Sequence, residues 1–321
     1  MAAMVPGSNT PLGSFSEPSV RSALQIEGTP EAGEVQSVGS YWELVLRGFL
    51  DNRMAVAGMA ILIAVFLFSF VGPMLWRVPP NQINLNVGVP PTAPTPGHPL
   101  GTDLVGRDVL ARLMAGGQSS LEVGLAAAFV AVLVGVMYGA ISGFFGGFVD
   151  TIMMRFVDVV LAIPILFLLI FLSTVVRPNE ALMILVIGLT SWLVPARLIR
   201  GETLSLRTRE YVQAVRVMGG SSWRIILKHI LPNSVGTIIV NATFQVADAI
   251  LLLAYLSYLG LGIPPPAATW GGLLSDGMTF IFQGAWWVIY PAGIAILITV
   301  VAFNFIGDAM RDALEVRLQS R

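Results

Sequence analysis

The chain has 321 residues, of which 55% are hydrophobic and only 12% charged, with a formal net charge of −1 and a mean hydropathy of +0.78. A soluble globular chain carries about 25% charged residues, so the composition specifies an integral membrane protein, while the net charge says nothing about nucleic acid. There is no Cys, which excludes disulfides and thiolate metal sites, and the only histidines are His98 and His229, too few for a His-rich metal motif.

Residues 1–40 contain Pro6, Pro11, Pro18 and Pro30 among Ser, Gly, Glu and Thr, with no apolar run. They read as a disordered tail, neither signal peptide nor span. Residues 41–53, with Tyr41, Trp42, Leu44, Val45 and Phe49 beside Glu43, Arg47 and Arg53, read as a short interfacial helix, since Trp and Tyr favour that depth.

Uncharged stretches then predict six transmembrane helices, each needing about 20 apolar residues: 54–76, 123–149, 159–176, 181–196, 234–260 and 285–307. Between the first two lies an outer loop, 77–120. Its Pro79–Pro99 stretch is extended, and Gly101-Thr102-Asp103 and Gly106-Arg107-Asp108 shape turns and cap a helix at 108–115. Arg107 and Asp108 have an alternative role as contacts for an external protein. The second span carries Ala127, Ala131, Gly135, Gly139, Gly143 and Gly147 at every fourth position. Such small residues let helix backbones approach closely. Four residues overshoot a 3.6-residue turn by about 40°, so the stripe winds and serves more than one neighbour. Pro164 and Pro195 can bend the third and fourth spans, as hinges or simply to fit the bundle.

Residues 201–232 form a basic loop between the fourth and fifth spans. Thr208 is the expected N-cap of a first helix, with Glu210 near its positive end. Tyr211, Val212, Val215 and Met218 form one apolar stripe, and Gly219 and Gly220 stop the helix. Ser221 or Ser222 caps a second helix with Trp223, Ile226, Leu227 and Ile230 on its apolar face, ending at Pro232. Arg207, Arg209, Arg216, Arg224 and Lys228 cover the polar surface. By spacing alone, such a pair either takes a push from a cytoplasmic partner or lies on lipid with its basic residues on anionic headgroups.

In the fifth span Asn241, Gln245 and Asp248 share a face at i, i+4 and i+7. A carboxylate at that depth is costly and must face protein or water. The face reads as a polar wall of a translocation path, able to meet a peptide amine, or as an interhelical hydrogen-bond cluster. Pro264-Pro265-Pro266 then breaks the chain, Thr269-Trp270-Gly271-Gly272 begins another outer loop, and Trp286, Trp287 and Tyr290 read as an interfacial belt. Of the 18 basic residues, an N-in arrangement leaves only Arg77, Arg107, Arg112 and Arg177 outside. The positive-inside rule therefore predicts N-in and C-in.

Ala214, Gly219, Leu231 and Pro232 keep, and Gln213, Val215 and His229 depart from, the Glu-Ala-Ala…Gly…Ile-x-Leu-Pro pattern of the EAA loop in ABC-importer permeases. Further segments resemble the C-type permeases of the dipeptide/oligopeptide/nickel class in the same order. They are His98–Asp103 with Gly106–Leu110, Gly143–Gly147 with Asp150, Arg200-Gly201-Glu202, Arg209–Val212, Leu256–Gly262, Asn304 and Gly307-Asp308 with Arg311–Leu314. Roughly residues 45–316 are covered. Leu253 stands where relatives often carry Glu. The resemblance implies a type I ABC-importer permease fold for residues 41–321, behind a cytoplasmic tail, as a multi-pass protein of the bacterial inner membrane. The partners it implies are a homologous second permease, two cytoplasmic ABC ATPases that bind ATP and Mg, and an extracytoplasmic binding protein. The chain itself would hold no cofactor and catalyse no bond change. Glu210, Gln213, Ala214, Arg216, Gly219 and Arg224 would face the ATPase. Asn241, Gln245 and Asp248 would line the path for di- or oligopeptides. Nickel chelates, glutathione or another small peptide-like solute are the alternatives, as is an ion-coupled secondary transporter using Asp248. No nucleophile–base constellation supports an intramembrane enzyme.

Overall fold

The computed structural model describes residues 46, 48–84, 91–175 and 178–319. The expected tail at 1–40 and the first part of the expected interfacial helix lie outside them. Residues 48–51 are helical, and Phe49 is buried in the core rather than turned to an interface.

Asn52 starts α1 (Arg53–Leu75) by accepting from the amides of Met54 and Ala55 at 2.9 and 3.4 Å. The helix passes through a π turn at Leu67–Val71. Pro73, which follows, has no N–H to give to the Ser69 carbonyl four residues back. Gln118 of the next helix supplies it instead, its Nε2 donating to Ser69 O at 2.8 Å.

α2 (Val109–Phe145) is one unbroken helix of 37 residues. The helix expected at 108–115 and the span expected at 123–149 are thus a single element, because no residue between them breaks the hydrogen-bond ladder. At 1.5 Å per residue it is about 55 Å long, against a hydrocarbon core of about 30 Å, so it projects well beyond the apolar layer. It ends before residue 149 because Gly146 and Gly147 both take positive φ, 66° and 52°.

α3 (Gly147–Leu161) and α4 (Ile165–Val175) are bent by 81° about a break containing Pro164. α5 (Glu180–Ser191) and α6 (Leu193–Leu206) are bent by 43°, where Pro195 cannot donate to Ser191 O. The expected third and fourth spans are therefore broken pairs. The polar loop holds α7 (Glu210–Val217) and α8 (Ser222–Ile225), the latter running into a π turn at Ile226–Ile230. α9 (Val235–Tyr258), the short α10 (Trp270–Gly277) and α11 (Trp286–Gln319) complete the chain. Among the described residues there is no strand, only isolated bridges in the loop before α2. Among the described residues four helices are long and apolar enough to cross a membrane, and up to six spans result if each bent pair is one.

α2 is the hub, packed by α5, α6 and α9 along its length and by α1 and α10 near its start. Its small residues do wind. Ala127 meets Met183, Ile187, Ala249 and Leu253. Ala131 joins Val157, Trp192 and Leu193. Gly135, Gly139 and Gly143 press on the α6 backbone: a Cβ on Gly135 would sit 2.7 Å from Trp192 O, and one on Gly143 2.8 Å from Arg200 O. The expected loop at Thr269–Gly272 is instead the start of α10. Thr269 caps it by accepting from Gly272 N at 3.1 Å, and Trp270 is buried with its Nε1 donating to Leu113 O at 3.0 Å.

Candidate functional site

Three polar features stand out from the apolar bundle. The first is the loop of α7 and α8. Arg209, not Thr208, occupies the N-cap of α7; the Thr208 hydroxyl is already used, donating to Ser205 O at 2.8 Å. Gln213 Nε2 donates to Arg207 O at 2.9 Å, tying the start of α7 to the end of α6. Gly219 ends α7 at φ 80°. Ser221, of the two candidate serines, caps α8 by accepting from Arg224 N at 3.4 Å.

The apolar residues of this loop do not all face one way. Val212, Ile225, Ile226 and Ile230 are buried with Val136, Ala140, Phe144 and Ile199, which anchors the loop on α2 and α6. Tyr211, Val217, Met218, Trp223 and Leu227 are exposed, Val217 by 88% and Met218 by 77%. The expected faces are corrected accordingly: Ile225 replaces Trp223 and Leu227 as a core contact, and Met218 leaves the stripe of Val212 and Val215. A π turn spaces its hydrogen bonds one residue further than an α-helix, which shifts the buried face. Glu210, Gln213, Ala214, Arg216, Gly219 and Arg224 are all on the loop's accessible side; the first four and Arg224 are in or beside α7 and α8, and Gly219 is at the turn between them. Around the loop's base, Arg200 Nη2 donates to Asp150 Oδ2 at 2.6 Å, Arg197 pairs with Asp158, and Arg207 Nη1 donates to Gly143 O at 2.8 Å.

The second feature is a recess of about 380 Å³ beside the α5–α6 break. Asn241, Gln245 and Asp248 of α9 all line it, with Thr190 and Ser191 opposite. Asp248 is exposed in the isolated chain, whereas Gln245 is buried. The Ser191 hydroxyl and Asn241 Oδ1 are buried without a hydrogen-bond partner among the described residues. Thr190 Oγ1 is satisfied by its own helix, donating to Val186 O at 2.7 Å. Sequence periodicity placed the three α9 residues on one face. Thr190 and Ser191 carried no such signal, because a broken helix has no continuous period to read.

The third feature lies in the loop before α2. Asp108 is 1% exposed. It accepts from Ala111 N at 2.7 Å as the N-cap of α2 and from Trp76 Nε1 at 3.2 Å, and its Oδ2 lies 2.7 Å from His98 Nδ1. Its expected cap is therefore present, and its alternative role as an outside contact is closed by burial. Asp103 accepts from Arg107 Nε at 2.7 Å and lies 3.5 Å from Arg112 Nε. Both arginines reach Asp276 of α10 at 3.9 Å. Burial pushes the Asp276 carboxyl up from its ordinary range, opposed by Arg112 and Arg107. This set fixes the loop to the ends of α1, α2 and α10.

An apolar helical bundle with polar groups confined to a loop, a recess and one end is that of a multi-pass membrane protein. Residues 135–320 match the family of binding-protein-dependent transport system inner membrane components, and residues 40–91 match the N-terminal TM domain of oligopeptide transport permease C. The chain belongs to this family of ABC-importer permeases. It is 43% identical over 299 residues to the oligopeptide transport system permease protein OppC of Salmonella typhimurium, covering 92% of this chain and 98% of that one. It is 39% identical over 293 residues to OppC of Bacillus subtilis (90% and 95% covered). The dipeptide transport system permease protein DppC of Bacillus subtilis is 38% identical over 297 residues, with 92% of each chain covered. In fold, it is similar to the MetNI methionine ABC transporter in an inward-facing conformation, with a TM-score of 0.53 and 18% identity over 63% of this chain and 96% of that one.

Proposed function

We propose that this chain is one permease subunit of an ATP-driven importer of di- or oligopeptides. It forms the path with a homologous second permease in the bacterial inner membrane, receives solute from an extracytoplasmic binding protein, and is driven by two cytoplasmic ATPases that hold ATP and Mg. The permease unit comprises residues 41–321 with six spans and both termini inside, behind a cytoplasmic tail at 1–40. The observation that carries the reading is the construction of the α7–α8 loop. Its base is locked into the bundle by Val212, Ile225, Ile226 and Ile230, while Tyr211, Val217, Met218 and Trp223 are exposed among the described residues. A rigid base with an exposed apolar tip transmits a push; a loosely attached loop would absorb it. Glu210, Gln213, Ala214, Arg216, Gly219 and Arg224 then meet the ATPase, and Asn241, Gln245 and Asp248 line the path. ATP-dependent uptake in vesicles reconstituted from the complete complex tests the reading; uptake driven by an ion gradient without ATP would favour the secondary-transporter alternative. Uptake of nickel chelates or glutathione in preference to peptides would change the solute but leave the class.

The orientation has its own test. The chain has no Cys, so Ser205→Cys, exposed at the end of α6, and Ala267→Cys, in the loop before α10, can be labelled singly. An impermeant maleimide added to sealed cells is expected to label position 267 and spare 205. The opposite pattern reverses the topology.

The recess is tested by Asp248→Asn, which keeps size and removes charge. Assembly with the second permease and the ATPases is expected to persist, while turnover falls or solute preference shifts by on the order of tenfold, the scale of one hydrogen bond to a charged group. Unchanged uptake across peptides of different charge would leave Asp248 only a packing role.

A further inference from the structure

A cavity of about 560 Å³ lies where the end of α2 meets the α7–α8 loop. Phe144, Phe145, Arg207, Gln213, Arg216 and Ser222 are among the residues that line it. Among the described residues no carboxylate lines it. Arg207 is held in place by donating from Nη1 to Gly143 O at 2.8 Å and Phe144 O at 3.4 Å, so it caps the negative end of α2. Arg216 stands over the Phe144 ring, its Cζ 5.2 Å from the centroid. Neither guanidinium is in an ion pair among the described residues. The sequence contributes to this imbalance: Gln213 stands where the resembled loop pattern has Glu, so the lining holds two cations and no anion.

We infer that this cavity binds a phosphate group, and that the group belongs to an anionic phospholipid of the adjoining leaflet. Two arginines directed into one space match the planar, multi-donor recognition that phosphate oxygens take, and Ser222 adds a hydroxyl. The lipid source follows from what borders the cavity. Phe145 lines it and is also half exposed, and Phe148, Ile152 and Phe156 continue along α3 at four-residue intervals, all exposed. Acyl chains lying on that stripe carry their headgroup phosphate to the cavity mouth. A soluble phosphate would gain nothing from it. The bound headgroup would join α2 to α7 and α8, making the stiffness of the loop depend on anionic lipid. The inference rests on the loop lying at the membrane surface, as the proposed function has it.

The test is lipid retention by the purified complex of both permeases and ATPases, placed in phosphatidylcholine nanodiscs containing a minor share of phosphatidylglycerol and read by native mass spectrometry. The wild type and Arg216→Lys are expected to retain phosphatidylglycerol. Arg216→Gln is expected to retain it about tenfold less well, as loss of a charge-assisted contact requires. Arg207→Gln should do the same, and Arg155→Gln, outside the cavity, should not. Wild-type retention by Arg216→Gln overturns the inference. Displacement by inorganic phosphate at concentrations comparable to the lipid overturns the lipid source. Retention that vanishes whenever the ATPases are bound overturns it also, because an ATPase side chain then fills the cavity. Retention is read without transport, so a failure of peptide uptake and a failure of lipid binding are separately visible.

Discussion

Gly139→Leu is expected to remove the folded permease from the membrane. Gly139 lies in the middle of the contact between α2 and α6, and a Cβ there would overlap the Ala196 carbonyl oxygen and stand 2.9 Å from Arg200 N. Both obstacles are backbone, which cannot rotate aside as a side chain can. Overpacking a core ordinarily costs about 1–3 kcal/mol, and prising two backbones apart along a whole helix contact lies at or beyond the top of that range. Ala196 and Leu193 would lose their packing with Ala131 and Trp192 at the same time. The measurement is the monodisperse fraction and melting temperature of the detergent-purified permease pair. Gly201→Ala is the internal comparison: it lies on α6 but a Cβ meets nothing within 4 Å, so alanine should be neutral or stabilise by about 0.5–1 kcal/mol through its better helix propensity. Equal behaviour of the two variants would mean that α2 and α6 do not meet at Gly139.

Gly219→Trp should have the opposite signature, an intact fold and no transport. Gly219 takes φ 80° and a Cβ on it meets nothing within 4 Å. A Cβ there therefore costs only the left-handed backbone strain, about 1–2 kcal/mol, and meets nothing among the described residues. Any larger loss must come from a partner pressed against that turn. Gly219→Trp is expected to insert and pair normally while failing to co-purify with the ATPases and failing to take up peptide. Gly219→Ala should show the strain alone, with docking largely kept. Arg224, exposed and without an ion pair among the described residues, should matter less when changed singly, since surface pairs contribute about 0–1 kcal/mol. Normal docking and uptake by Gly219→Trp would remove the α7–α8 loop from the coupling path and end the case for its assignment.

Several local features were legible in the sequence because they depend on nearest neighbours. Hydrophobic runs place apolar helices near their observed positions, since about 20 apolar residues must pass together through lipid. Asp108 as a cap, Gly219 as a stop and the shared face of Asn241, Gln245 and Asp248 follow from helical geometry over one or two turns. The four-residue spacing of small residues along α2 also implied several neighbours, because the overshoot per turn is fixed.

Other features were decided only by the packed chain. The continuity of α2 from Val109 depended on the absence of any helix-breaking residue, and the reading of spans from uncharged stretches put its expected start after Glu122, too late. Pro164 and Pro195 marked where the third and fourth spans can bend, but the size of the bends, 81° and 43°, is not registered by hydropathy. Ile225 displaced Trp223 and Leu227 from the core because a π turn changed the helical phase, and Trp270 went inward because Leu113 O, 157 residues away, was there to accept from its indole. The sequence by itself determined an apolar helical chain, its family pattern and which residues share a local face. Tertiary structure decided which of those faces meet, since the contacts of Gly139 with Ala196, Ser191 with the α9 recess, and Arg207 with Gly143 are between residues whose separation along the chain carries no period.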